Sequence, residues 1–266
     1  MNLTSSPQAL KLLSLTSKVE GVPLVFLPDL GGNVLYSRDL VARLTEGISP
    51  RALPLTNEAL GTLDTITIED LAERFSDVLI DYFPTSQVHL AGFSFAGILA
   101  FETARALARK KHPPAHVWLF DTRAHRLHLP SAIRQAPFRE LKSFGTYILK
   151  RLSTRNSAGD DNVLRSFRFV EVDLNTRPKA FWPIIRSMHR ALSIYRPIPT
   201  AEIPVTLFQV NELPSLHARP LSLGWDRLTQ GTARVVPVDA EHLTVMHAEP
   251  SLDCITEYLK THCRTF

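Results

Sequence analysis

A serine, an aspartate and a histidine occupy positions from which they could carry nucleophilic catalysis. The segment Gln87-Val88-His89-Leu90-Ala91-Gly92-Phe93-Ser94-Phe95-Ala96-Gly97-Ile98 joins a strand-like apolar run to an alanine-rich, helix-like one. A serine on a sharp strand-to-helix turn stands out from the backbone, and the amides that open the helix face the charge formed during attack. Gly92 gives such a turn room. The second small position, two after the serine, is Ala96 rather than glycine, and Gly97 beside it is expected to relieve the crowding. The serine needs a base. His242 lies in Val238-Asp239-Ala240-Glu241-His242-Leu243-Thr244-Val245-Met246, just past the final strand-like run, on the expected side of a sheet; His247 is the alternative. His89 and His116 fall within strand-like runs and read as structural. The acid is assigned to Asp121, which closes the apolar run His116-Val117-Trp118-Leu119-Phe120. A carboxylate there is costly unless it is paired. Glu212, after the run from Pro204 to Val210, is the competing acid.

The elements that must position these groups alternate. Strands are predicted over Val22–Leu27, Ala52–Thr56, Gln87–Ala91, His116–Phe120, Pro204–Val210 and Ala233–Val238. Helical spacing runs over Asn33–Leu44, Ile68–Phe83, Phe95–Lys110, a short piece near Trp225 and the C-terminal segment. Such alternation predicts a parallel sheet covered on both faces. Between Thr122 and Ile203 the rhythm breaks into helical stretches at Pro137–Leu152, Val163–Leu174 and Phe181–Ile194, with Pro137 and Pro183 in first turns. The simplest organisation is a leader or linker over 1–21 and one α/β domain over 22–266, with a helical insertion at about 122–203.

The 266 residues include 44% apolar and 21% charged types, which excludes disorder, collagen and coiled coil. No run approaches a membrane span and no signal-peptide pattern opens the chain, so a cytoplasmic protein without membrane contact is expected. Cys254 and Cys263 lie nine apart on one predicted helix, roughly 13 Å, too far for a bridge. No metal-ligand spacing is present. The charge is uneven: Thr122–Arg196 carries 15 Lys and Arg against 5 Asp and Glu, while the remainder carries 15 against 21. A basic segment in an acidic body suggests an anionic partner. Nucleic acid is disfavoured, because no zinc spacing, helix-turn-helix or RNA-binding motif accompanies it.

Ser, Asp, His is the chain order of α/β-hydrolases. Four motifs in order extend the likeness: the run from Phe26 to Leu40, Gly92-Phe93-Ser94-Phe95-Ala96-Gly97, Leu119-Phe120-Asp121-Thr122, and His242-Leu243-Thr244-Val245-Met246 with Pro250. Tyr195-Arg196-Pro197 looks like the exit from a lid. From about Val22 to Leu259 the chain resembles the product-releasing thioesterase domains of nonribosomal peptide and polyketide synthases.

The resemblance implies an α/β-hydrolase fold with a mostly parallel sheet, a helical lid at the insertion, and a triad of Ser94, Asp121 and His242. It implies oxyanion donors in the backbone amides of Phe95 and of Asp29 or Leu30. The Asp29 side chain, acidic where the family has small or apolar residues, is expected to turn away. Tyr36, Phe93, Phe138, Phe144, Tyr147, Phe181 and Trp182 are candidates to line the substrate pocket. No bound cofactor or metal is expected: an acyl or peptidyl carrier protein would deliver the small-molecule acyl chain on its phosphopantetheine arm, and the basic insertion suits an acidic carrier. A free-standing esterase or lipase, or a non-catalytic module on the same fold, are the alternatives.

Overall fold

Short β-branched and aromatic runs, broken by Gly, Pro and Asp, become the strands of one sheet. β1 (Leu13–Ser14), β2 (Val22–Phe26), β3 (Ile48–Ala52), β4 (His89–Phe93), β5 (His116–Phe120), β6 (Val205–Val210) and β7 (Arg234–Val238) lie in the order β1-β3-β2-β4-β5-β6-β7. β1 is antiparallel to β3, and the other neighbours are parallel. This computed structural model describes residues 10–17, 20–44, 47–56, 59, 66–124, 178–210 and 222–263, with the backbone alone at 178–182.

Both faces of the sheet are buried, as parallel pairing requires. Side chains alternate across it: Val25, Leu90, Val117, Leu119 and Leu207 enter one core layer, while Phe26, Ala91, Trp118, Phe120 and Phe208 enter the other. The first layer is closed by α2 (Ile68–Tyr82) and α3 (Phe95–Arg109). Ile68, Leu71, Phe75 and Leu79 recur at helical spacing on α2 and are all buried. Its first turn is fixed by a capping box, in which the Thr67 hydroxyl and the Asp70 carboxylate each accept the other residue's amide at 3.0 Å. The second layer is closed by α1 (Arg38–Val41) and α5 (Glu249–His262) through Leu40, Val41, Leu252, Ile255 and Leu259.

Four expectations need correction. The second predicted strand sits earlier, at Ile48–Ala52 rather than Ala52–Thr56, because Ser49, Pro50 and Arg51 hide its pattern. Leu13–Ser14, assigned to a leader, add an edge strand to β3, and Leu15 is buried; two residues carry no readable period. The stretch Asn33–Leu44 holds only a 3-10 turn (Leu35–Ser37) and the four residues of α1. Of the insertion helices, α4 (Pro178–Ile194) is described, and Pro183 lies inside it rather than in its first turn. Pro137–Leu152 and Val163–Leu174 lie outside the described residues. Among those described, no helix is long and apolar enough to cross a membrane.

Candidate active site

β4 and β5 run in register up to Phe93 opposite Phe120, so the residues after them emerge side by side at one sheet edge. Ser94 is the first of these. Its amide donates to the Phe120 carbonyl at 3.0 Å, and its backbone is held at φ 52°, ψ −116°. Positive φ is strained for a serine and persists only where the surroundings enforce it. Here Gly92 and Gly97 enforce it. A Cβ at Gly92 would lie 2.2 Å from the Ala96 carbonyl carbon, and one at Gly97 would lie 2.1 Å from the Thr122 hydroxyl. There are thus two tight approaches: Gly92 on β4 against the Ala96 backbone in the first turn of α3, and Gly97 on α3 against Thr122 after β5. Thr122 is buried and hydrogen-bonded to the Gly92 and Phe120 carbonyls at 3.4 and 3.3 Å, so it cannot swing aside. Gly97→Val should cost about 3 kcal/mol or more of stability by overpacking. Denaturant unfolding checks this, and a midpoint equal to wild type would contradict it.

Asp121 follows β5 in the same way. Its amide donates to the Phe208 carbonyl at 2.7 Å, and its φ of 38° turns the side chain away from the strand direction. The carboxylate Oδ2 meets His242 Nδ1 at 2.5 Å, while the Val210 amide approaches Oδ1 at 3.5 Å. Asp121 is 3% exposed and His242 28%, so the pair has a buried anchor and a reachable imidazole. A carboxylate only accepts, so the proton of a neutral ring sits on Nδ1 and Nε2 keeps its lone pair. The Phe93 ring packs on the imidazole with centroids 4.9 Å apart. The histidine loop is fixed by Val245 and Met246, both buried, and by the Ser251 hydroxyl, which donates to the Val245 carbonyl at 2.7 Å.

The alternative base, His247, is otherwise engaged. Its Nδ1 lies 2.8 Å from Asp39 Oδ2, which joins the histidine loop to α1. Desolvation works against the Asp39 charge, yet the hydrogen bond and charge of His247, with Arg38, hold the carboxyl down at about 2. The pair spans 208 positions, and no sequence signal connects them. Glu212 lies outside the described residues; the carboxylate beside His242 is that of Asp121.

The loop after β2 lies beside the serine turn, because β2 pairs with β4 and the Leu27 amide donates to the Ala91 carbonyl. Asp29 organises it. Its Oδ1 accepts from the amides of Gly31 at 2.8 Å and Asn33 at 3.2 Å. Its own amide donates to the Asn33 carbonyl at 2.8 Å, and the Gly32 amide donates back to its carbonyl at 2.9 Å. The Asp29 amide is thus occupied, while the Leu30 amide makes no hydrogen bond among the described residues. The Phe95 amide at the start of α3 is also outside the backbone ladder. Tyr36, a pocket candidate, stands against this loop. It is buried, it donates to the Leu27 carbonyl at 2.7 Å, and it packs on Phe26 and Phe93, so it supports the loop from beneath. Phe93 is likewise buried and backs His242.

The family model for the thioesterase domain matches residues 22–261. The chain belongs to the thioesterase domain family. Solved structures agree on the fold of this thioesterase domain. A holo four-domain nonribosomal peptide synthetase, AB3403, bound to AMP and glycine, matches with TM-score 0.69 and 21% identity over 94% of the chain; the chain spans 20% of that protein. The Vlm2 thioesterase domain bound with a dodecadepsipeptide matches with TM-score 0.64, 20% identity, and coverage of 96% and 99%. The RedJ thioesterase of the prodiginine pathway in Streptomyces coelicolor gives TM-score 0.61 and 24% identity, covering 91% of this chain and 86% of that one. No curated protein matches the chain in sequence.

One further contact of the thioesterase domain ties the insertion to the sheet layer. Glu102 on α3, 1% exposed, accepts from the Tyr195 hydroxyl at 2.9 Å and from Arg105 at 2.7 Å. Tyr195 directly follows α4 and belongs to the Tyr195-Arg196-Pro197 motif, which thus has a structural task. Of the pocket candidates, Phe138, Phe144 and Tyr147 lie outside the described residues, as do the side chains of Phe181 and Trp182.

Proposed function

We propose that this domain releases an acyl, peptidyl or polyketide chain from the phosphopantetheine arm of a carrier protein, through an acyl-serine on Ser94. The observation that carries the reading is the Asp121–His242 hydrogen bond at the sheet edge where the strained Ser94 turn emerges. In this reading His242 Nε2 takes the Ser94 proton as Oγ attacks the thioester carbonyl. Asp121 holds the imidazole in the required tautomer and stabilises its charged form. The amides of Phe95 and Leu30 receive the oxyanion; one such donor is typically worth about 3 kcal/mol of barrier. The C–S bond breaks, the proton passes from His242 to the departing thiolate, and the acyl chain stays on Ser94. Water then gives the free acid, or an internal hydroxyl or amine gives a ring. The phosphopantetheine belongs to the carrier, so the domain itself needs no bound cofactor or metal for these steps.

The carrier requirement rests on the family and on the basic stretch Thr122–Arg196. Exposed charge of one sign steers encounter and is screened over about 8–10 Å. Reversing Arg151 and Arg155 should slow turnover of a carrier-bound thioester severalfold and leave a small soluble thioester unchanged. Equal loss on both substrates would place the effect in folding. A wild-type preference for simple esters over every carrier-bound thioester would instead favour a free-standing esterase.

A further inference from the structure

Asp29 is a buried carboxyl for which the acyl transfer described above has no task. It is 3% exposed and forms no ion pair among the described residues. Its two oxygens are unequal. Oδ1 ties down the amides of Gly31 and Asn33, whereas Oδ2 is buried without a hydrogen-bond partner. The loop it closes lies beside the Ser94 turn and leaves the Leu30 amide open.

We propose that Asp29 is a positioning residue with a charge-dependent effect on acyl transfer: Oδ1 shapes the oxyanion loop, and loss of a proton from Oδ2 to solvent opposes the negative charge formed at Ser94. The inference rests on the reading of Ser94 as the acyl carrier. A neutral acid keeps Oδ1 as acceptor and places an O–H at Oδ2, so the loop survives either state. An ionised acid puts a second, buried anion in the loop beside the Ser94 turn, where it opposes the oxyanion. Burial pushes this carboxyl up to about 7, against the lowering effect of its hydrogen bonds from Asn33, Gly31 and Gly32. The change of charge thus falls near neutral pH.

The groups around it are few. Tyr36, from the 3-10 turn, feels the Asp29 charge, and burial holds its phenol neutral, well above the usual range. Beyond Phe93 lie His242 and Asp121. Arg38 and Asp39 belong to α1, with His247 paired to Asp39. α4 presents the apolar Ile184 to Gly32.

Asp29→Asn mimics the neutral acid, since it keeps an Oδ1 acceptor without charge. With an octanoyl N-acetylcysteamine thioester, wild-type kcat/KM should fall about tenfold between pH 7 and 9, the scale of one nearby charge. Asp29→Asn should stay level across that range, while Asp29→Ala, lacking the loop's acceptor, should be low at every pH. Because the folded value is raised, wild-type stability is full below about pH 4 and is lost as pH rises through about 7. Asp29→Asn should remove that part of the decline and raise Tm at pH 8. Parallel rate profiles for wild type and Asp29→Asn overturn the proposal. A measurement on wild type alone decides it if the variants do not fold. An alkylboronic acid forms an anionic tetrahedral adduct with a reactive serine, and by linkage that adduct should move the Asp29 carboxyl titration upward in a 13C spectrum. An adduct at Ser94 with an unmoved Asp29 titration overturns this inference alone. No adduct at Ser94 overturns the acyl-serine reading, and this inference with it.

Discussion

Ser94→Ala is expected to reduce thioester turnover by a factor on the order of 10⁶, the scale at which a serine triad loses its nucleophile. The size follows from the unit nature of the site. Without Oγ there is no bond for His242 to assist, and the amides of Phe95 and Leu30 act on an attack by water that nothing positions. The fold should be untouched. Serine at 94 is held at φ 52°, and the groups enforcing that turn are Gly92, Gly97 and Thr122 rather than its hydroxyl. A serine-directed fluorophosphonate should add once to wild type, at Ser94, and not at all to Ser94→Ala, as read by intact-protein and peptide mass spectrometry. With an acyl thioester, the same spectra should show a mass increase equal to the acyl group on wild type. Labelling at another serine, or full turnover by Ser94→Ala, would refute the assignment.

The parts of this site that were legible in sequence are those with a local signature. The serine turn needs a buried strand, small residues and an alanine-rich helix within about twelve positions, and all of them are written consecutively. Asp121 and His242 are legible because each follows an apolar run whose end marks the sheet edge, and parallel strands place those ends together. The roles of Asp29, Tyr36 and Thr122 were not legible in this way. Asp29 spends its amide on Asn33, a detail of loop closure that no spacing rule encodes. Tyr36 has an aromatic ring beside the candidate oxyanion loop, and only its hydroxyl's bond to the Leu27 carbonyl reveals a support. Thr122 matters through its contact with Gly97, where α3 crosses the end of β5. The displaced β3 has a physical reason of the same kind. Pro50 and Arg51 interrupt its apolar period, yet Leu24 and Val25 on β2 pair with them.

Asp121→Asn is expected to lower turnover about 10⁴-fold at neutral pH while leaving the protein folded. The backbone can absorb the change. Asp121 sits at φ 38°, a region that asparagine tolerates better than most residues, and its amide keeps the Phe208 carbonyl at 2.7 Å. The chemistry cannot absorb it. An amide in place of Oδ2 can present a donor to His242 Nδ1, which moves the ring proton to Nε2 and removes the lone pair that Ser94 needs. An amide turned the other way accepts from Nδ1 but supplies no charge to stabilise the imidazolium. The decisive measurement is a double-mutant cycle. If Asp121 acts only through His242, then His242→Ala and the double variant should turn over at rates within about threefold of each other, far from the product of the single losses. Glu212→Gln should stay within about threefold of wild type, because the carboxylate that meets His242 is that of Asp121. Additive losses from Asp121→Asn and His242→Ala would mean that the short hydrogen bond between them is structural. A 10⁴-fold loss in Glu212→Gln would move the acid to Glu212.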